Sequence, residues 1–338
     1  MSGVARRHHT VPRFYLDGFA SRRRIGTVRL PGHARFVQST LNATAQSDFY
    51  TIPDAVDGTD RVERVLSKLE SDAARVFDKL KDEEWPLDPQ SRETLAAFLA
   101  VQFLRGPNRR SQIEQMTRLL LQMRIGLGRR ETFEDWVSRE LGIILTPEEA
   151  DRAWDEGSQE RGPSYTISGE KFAQHLATSL ETVYPYFAGR AWVLVRFDRR
   201  SLLTCDTPIV LAPDEDISPF SGIGVGSAMA MTVPLTRSIG LILSTHVNDL
   251  PDYAYGEVVQ GRADWELTPT TRYAKMFNRA TVENAREWIF HHPDDSHLVP
   301  ANLHEPVRSE VASNVTEVLA ARSDANEGQR DQASDDQD

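Results

Sequence analysis

Gly189-Arg-Ala-Trp-Val-Leu-Val-Arg-Phe197 marks a change of texture in a chain of 338 residues. Upstream of it, apolar residues recur every three or four positions. Downstream they run in short blocks rich in Val, Ile, Leu and Thr: Arg190–Phe197, Ser201–Leu211, Met229–Leu235 and Ser238–Ser244. Blocks of that length and composition read as strands. Asn278–Phe290 returns to helical spacing through Val282, Ala285 and Ile289, with Trp288 on its flank. Helices first and strands afterwards argue for an α+β fold rather than an alternating α/β one.

The upstream part carries its own punctuation. Asp60–Lys81 places Val62, Val65, Leu66, Leu69, Ala73, Val76, Phe77 and Leu80 on one helical stripe. Asp88 caps the next helix, with Pro89 in its first turn. That helix runs through Leu95, Phe98 and Leu99 to about Arg105, and Gly106-Pro107 ends it. Asn108 or Ser111 begins another, through Ile113, Met116, Leu119, Leu120, Met123 and Leu127. Thr146-Pro-Glu-Glu149 is a capping box for a short helix through Trp154. Ser168 caps a longer one reaching about Phe187. Near the start, Arg24–Leu30 and His33–Gln38 flank Pro31-Gly32 as a β-hairpin, and Ser47–Ile52 reads as a further short strand. The expected architecture is one α+β domain over residues 1–320. It holds a small hairpin, a helical part over about 53–188, and a mainly antiparallel sheet with a closing helix over about 189–290. No internal repeat occurs.

Composition bounds the class. Hydrophobic residues make up 40% and charged residues 26%, which suits a folded core. The single cysteine, Cys205, rules out an internal disulfide and fits a reducing cytoplasm. No apolar run approaches the roughly 20 residues that span a bilayer, and no apolar segment follows the N-terminal arginines as in a secretory signal. A cytoplasmic protein without a membrane partner is expected. The net charge of −11 is uneven. Residues 323–338 hold six acids against one arginine and no large apolar residue, the composition of a disordered tail. Residues 1–35 hold eight arginines against Asp17, and residues 105–130 hold seven against Glu114. Arginine forks suit phosphate, so nucleic acid or a nucleotide could be held there, although a general bias toward arginine explains the same counts.

Site candidates come from polar residues at positions their neighbours mark as buried. His8 and His9 open His-His-Thr-Val-Pro-Arg-Phe-Tyr-Leu-Asp-Gly-Phe19. Val11, Phe14, Leu16 and Phe19 are too apolar for a loose terminus, so Phe14, Leu16 and Phe19 should dock on the helices, with Tyr15 directed the other way or to the rim. The paired imidazoles, anchored in this way, suit proton transfer or metal binding; the plainer reading has one packed and one solvated. Glu70 sits at the edge of the stripe on its helix, as a paired carboxylate or a plain surface one. Gln102 continues the Leu95–Phe98–Leu99 stripe, and Arg105 follows one turn on. Burial of either demands a polar partner, although Arg105 also suits a helix C-terminus through the dipole alone. Asp206 interrupts a buried-looking strand beside Pro208, which implies an edge or a bulge; an Asx-type turn is the alternative. Cys205 reads as a buried inert thiol. Gly222-Ile-Gly-Val-Gly226 lacks the strand and helix of a phosphate loop, and His291-His-Pro-Asp-Asp295 with His297 reads as a solvated connection.

These residues resemble a bacterial family known as domain of unknown function 4238. The resemblance rests on H-H-x-V-P-x-F-Y-L-x-x-F (His8–Phe19), on Q-x-x-R-x-P (Gln102–Pro107), and on a strand bearing S-D-x-P. Here that last motif is Cys205-Asp-Thr-Pro208, with cysteine in place of the serine. An asparagine near the start of a last helix matches Asn278. The match spans about residues 8–290 and implies no reaction, because the family's activity is itself unassigned.

Two functions fit. In the first, the protein hydrolyses phosphodiesters, as a nuclease or related enzyme. His9, Glu70 and Asp206 are then catalytic, and His8 and His9 are ligands for a divalent metal. Gln102, Arg105 and Asn278 hold substrate, whether a small molecule or a nucleic-acid phosphate. In the second, the protein binds or senses a ligand without chemistry, and the polar cluster pins the N-terminal segment to the helices.

Overall fold

The computed structural model describes residues 7–43, 45–47, 58–106, 109–157, 165–167, 169–212, 224–246 and 252–306. Read as one domain from its sequence, the chain divides into two compact units: Met1–Pro107 with Ser168–Arg308, and Asn108–Ile167 with Ser309–Asp338. The fold is α+β, with most helices ahead of the two main sheets.

The larger unit begins with β1 (Arg7–His9), α1 (Arg13–Asp17), and the hairpin β2 (Arg24–Arg29) and β3 (Ala34–Ser39). β4 (Ala45–Ser47) comes next, overlapping only the start of the strand expected from Ser47; residues 48–52 lie outside the described residues. Then come α2 (Gly58–Lys81) and α3 (Pro89–Leu104). Asp88 caps α3 by accepting the Ser91 N–H at 3.0 Å. After the smaller unit the chain returns as α7 (Gly169–Ala188), β5 (Arg190–Arg196), β6 (Thr204–Cys205), β7 (Val210–Ala212), β8 (Ala230–Thr236) and β9 (Ile239–His246). The last elements are α8 (Tyr255–Val259), β10 (Trp265–Leu267), α9 (Thr271–Asn284), β11 (Trp288–His291) and a closing 3-10 turn (Pro293–Leu298).

Three sheets form among the described residues. β1 pairs with β4; the five-stranded sheet runs β10-β5-β9-β8-β7; the four-stranded sheet runs β3-β2-β11-β6. All pairings are antiparallel except β10 with β5. One apolar cluster joins helices to sheet: Phe77 of α2, Leu95, Phe98 and Leu99 of α3, and Trp192, Leu194, Met231, Val233 and Leu241 of the strands.

Two expected elements come out differently. Ser201–Leu211 is not one strand, because Asp206-Thr-Pro208 breaks it and sends β6 and β7 to different sheets. Pro208 has no N–H to give a ladder, so the break falls where the sequence weakens pairing. The helix expected over Asn278–Phe290 starts at Thr271, capped by Thr270, and ends at Asn284. Ala285 then turns extended (ψ 137°), and Trp288–His291 form the central strand β11. Ile289 is buried in either conformation, which is why helical spacing ran on through it.

The smaller unit holds α4 (Arg109–Leu127), α5 (Phe133–Leu141) and α6 (Pro147–Gly157). Its own apolar cluster is built on Leu121, Ile125, Phe133, Val137 and Ala150. The capping box closes as expected: Thr146 N–H donates to Glu149 Oε2 at 2.9 Å, and Glu149 N–H to Thr146 Oγ1 at 3.3 Å. Gly142 ends α5 with a left-handed φ of 60°. Ser168 and residues 323–338 lie outside the described residues.

Candidate functional site

The N-terminal segment is held from both sides. His8 faces Gln46 and His9 faces Ala45 in the β1–β4 ladder. The imidazoles themselves lie outside the described residues. One residue on, the Thr10 carbonyl accepts the Gln102 amide at 2.9 Å. Val11, Leu16 and Phe19 are fully buried, as their apolar character requires. Phe14 is only partly buried, yet its ring meets those of Phe77 and Phe98, each at 5.3 Å between centroids. Of the two directions expected for Tyr15, its hydroxyl takes the one toward the strands rather than the rim. Tyr15 is buried, its hydroxyl donates to the Pro234 carbonyl, and it lies 2.9 Å from Thr204 Oγ1. A phenol has one proton, so Thr204 is the donor in that second bond. Burial pushes the Tyr15 phenol well above its ordinary pKa. The residue is an anchor rather than an acid.

Glu70, Gln102 and Arg105 converge. α2 presents Glu70, and the last turn of α3 presents the other two. Arg105 Nε donates to Gln102 Oε1 at 3.0 Å, and Arg105 Nη1 to Glu70 Oε1 at 2.6 Å. The Arg105 side chain is 3% exposed and that of Glu70 is 32% exposed, so the cluster opens toward solvent on its carboxylate side. Arg105 Nη2 is buried and has no hydrogen-bond partner among the described residues. Helix-dipole compensation alone would not bury an arginine so deeply. Gln102 joins the parts, because its amide reaches the backbone beside the histidines while its oxygen holds Arg105.

Thr207, next to Asp206 in sequence, lies close to this end of α3 in space: a methyl-sized group on Gly106 would stand 3.9 Å from Thr207 Cγ2. The Asp206 carboxylate serves elsewhere, however. It accepts the N–H groups of Arg286 and Glu287 at 2.9 Å each and of Trp288 at 3.3 Å. Burial outweighs these bonds and pushes its pKa up to about 6. Asp206 therefore splices the β6–β7 corner to the start of β11. Asn278 does similar work. Its oxygen accepts Leu203 N–H at 2.8 Å and its amide donates to the Ser201 carbonyl at 3.0 Å, so both ends of the amide hold the backbone before β6. Cys205 is buried and its thiol pKa is raised by burial, as an inert thiol's would be.

Several buried polar groups escaped the sequence reading. Arg92 and Asp264 form a pair with side chains 1% and 0% exposed, joined by two bonds at 2.7 and 3.0 Å. Arg92 also donates to the carbonyls of Ala188 and Arg190 and lies 4.2 Å from the centroid of the Trp192 ring. The signal was present: Arg92 stands three residues before Leu95 on the same buried stripe that singled out Gln102. His291 and His292 are not a solvated connection. Both are buried, because His291 continues β11 and lies flat on Gly26, where any Cβ would stand 2.2 Å from its ring. Burial lowers the His291 pKa. Asp295 pairs twice with Arg237, at 2.7 and 2.8 Å. Gly224, in the glycine run, turns back on Ser227 and cradles no helix start.

A family model described as Protein of unknown function (DUF4238) matches residues 7–295. The chain belongs to this family. The match takes in every candidate above, from β1 of the DUF4238 chain to Asp295 in its closing turn. No curated protein and no solved structure matches. Among the described residues of this DUF4238 protein, no three His, Cys, Asp or Glu side chains gather as a metal cage. No described helix is long and apolar enough to cross a membrane.

Proposed function

We propose that this DUF4238 protein hydrolyses phosphodiesters at the Glu70–Gln102–Arg105 cluster, with the His8–His9 strand beside it. The carrying observation is the Arg105 guanidinium, buried, with Nη2 unpartnered among the described residues, next to a carboxylate that reaches the surface. A buried donor without an acceptor is costly, by about 1–3 kcal/mol or more when charged. An arriving phosphate oxygen would relieve that cost with a charge-assisted bond. Arg105 would then neutralise charge building on the phosphoryl oxygens, and Gln102 would hold the guanidinium in place. Glu70 or His9 would take the proton from the attacking water.

A divalent ion would activate that water, but Glu70 Oε1 already serves Arg105, so an ion would depend on imidazoles from His8 and His9. The lone cysteine supports a reducing cytoplasmic setting for the reaction.

The test combines metal content of the purified protein with hydrolysis of bis(p-nitrophenyl) phosphate by the wild type, Glu70→Gln and His9→Ala. The proposal expects losses in kcat/KM of about a hundredfold or more with the melting temperature nearly unchanged. A wild type that binds phosphate but never cleaves the ester would favour the ligand-binding alternative. Variants that lose only stability would reduce the cluster to an anchor for the N-terminal segment.

A further inference from the structure

Ser21 and Arg24 exchange backbone hydrogen bonds, both at 2.9 Å, around a two-residue turn formed by Arg22 and Arg23. Both arginines have positive φ, 49° and 62°. Asn-Gly is the pair such a turn favours, because consecutive left-handed residues crowd any longer side chain. Two arginines occupy it here, exposed, and neither side chain has a hydrogen-bond or ion-pair partner among the described residues. Strain kept in a surface turn with its charges uncompensated points to a role for those charges.

The neighbouring strands carry further arginines and an exposed ring. Arg24 and Arg35 are exposed and spend their guanidinium bonds on the carbonyls of Val37, Gly32 and Pro300 rather than on carboxylates. Phe36 is 43% exposed on β3, the edge strand of its sheet, with its ring 6.4 Å from that of Trp288. Arg29, by contrast, is engaged by Glu287 at 2.9 Å. In the β2–β3 register Phe36 faces Thr27 whereas Arg35 faces Val28 and Arg24 faces Ser39, so those two guanidinia lie on the other face of the hairpin from the ring. The unpaired charges that share the hairpin with Phe36 are those of the Arg22–Arg23 turn, and single-stranded nucleic acid uses such a combination, with bases on aromatic faces and phosphates on guanidinia.

The place also fits. The Arg23 carbonyl accepts the Thr40 N–H at 3.1 Å, and Ala45 pairs with His9. Five residue steps separate Thr40 from Ala45, at most roughly 18 Å of chain. The turn therefore lies within a few nucleotides' reach of the histidine strand.

We infer that the Arg22–Arg23 turn and the Phe36 edge form a docking surface for a single-stranded nucleic acid, the substrate class of the site proposed above. Docking rests on that reading only for the chemical step after binding. The protein's net charge of −11 opposes polyanions at long range. The attraction is therefore local, and it fades as salt shortens the Debye length below about 10 Å.

The experiment measures binding of a fluorescein-labelled oligothymidylate of about a dozen nucleotides by anisotropy, across a salt series, on the full chain. Arg22→Asn with Arg23→Gly supplies the turn's preferred residues, so the fold is kept while two charges go. Expected are at least a tenfold loss of affinity at low salt and a slope of log K against log salt shallower by about 1.4, from two phosphates at about 0.7 each. Phe36→Ala should weaken binding about tenfold with the slope unchanged. Equal binding by the wild type and the double variant overturns the inference. So does tight capture of a peptide of residues 323–338 with no oligonucleotide binding. Bis(p-nitrophenyl) phosphate is too small to need the turn and should be cleaved by the double variant as by the wild type. Failed cleavage with charge-dependent oligonucleotide binding removes only the hydrolytic reading. Intact cleavage with charge-independent binding removes only the docking surface.

Discussion

Asp206 is a carboxylate whose surroundings pull both ways. Burial raises its pKa from 3.8 to about 6, against three backbone N–H donors that favour the charge. The folded state thus holds this proton more tightly than the unfolded chain. Its contribution to stability is complete below pH 4 and is lost as pH rises through 4 to 6, by about 3 kcal/mol for a shift of this size. Asp206→Asn cannot titrate, and it turns an amide donor toward backbone donors. Urea unfolding should find the variant less stable, with its deficit largest near pH 4.5 and shrinking toward pH 7.5. A deficit that grows with pH would contradict the assignment. The same residue shows how far a sequence can be read. A charged residue between two apolar runs was visibly unusual, and the alternative of a turn between two strands was the one realised. Its partners, the N–H groups of 286–288, lie 80 residues away and carry no side-chain signature. Glu70, Gln102 and Arg105 were easier, because helical periodicity alone placed them on or beside buried stripes.

Between elements, buried arginines do the joining. Arg92 ties α3 to the end of α7, to β5 and, through Asp264, to the turn before β10. Asp264 in turn accepts Trp192 N–H at 2.9 Å, so the pair also fixes the start of β5. Removing one partner strands a buried charge. Arg92→Met should therefore cost about 3–5 kcal/mol in chemical denaturation, and adding Asp264→Asn should recover part of it. No recovery would mean that the carbonyl contacts of Arg92 matter more than its charge. Elements with strong local signals matched expectation: the hairpin across Pro31-Gly32, the long helix α2 and the capped starts of α3 and α6; at the N-terminal end of the α2 stripe Val65 is exposed instead of buried. Short or non-local elements did not. β10 has three residues and is a strand only because β5 lies beside it. β11 has helical spacing and becomes a strand because β2 and β6 both claim it.

Across the whole molecule, charge and apolar content divide the chain unequally. Residues 323–338 carry six of its acids and no large apolar side chain, and they fall outside the family match. Truncation after Arg322 should leave the melting temperature unchanged within error by scanning calorimetry, since nothing in the removed segment can fill a core. A clear drop would show that the tail contributes to the fold. The order of the chain in the larger unit has a further consequence. Arg29 of β2 pairs with Trp288 of β11, and the smaller unit is encoded between them. A ribosome adding about 5–20 residues per second needs roughly 10–50 s to make the second strand after the first. Throughout that interval Ile25 and Val28, which end fully buried, have no partner strand on that side. The nascent chain must therefore shelter an unpaired apolar edge from the making of β2 until β11 is made, so a demand on chaperones falls within that interval of its synthesis.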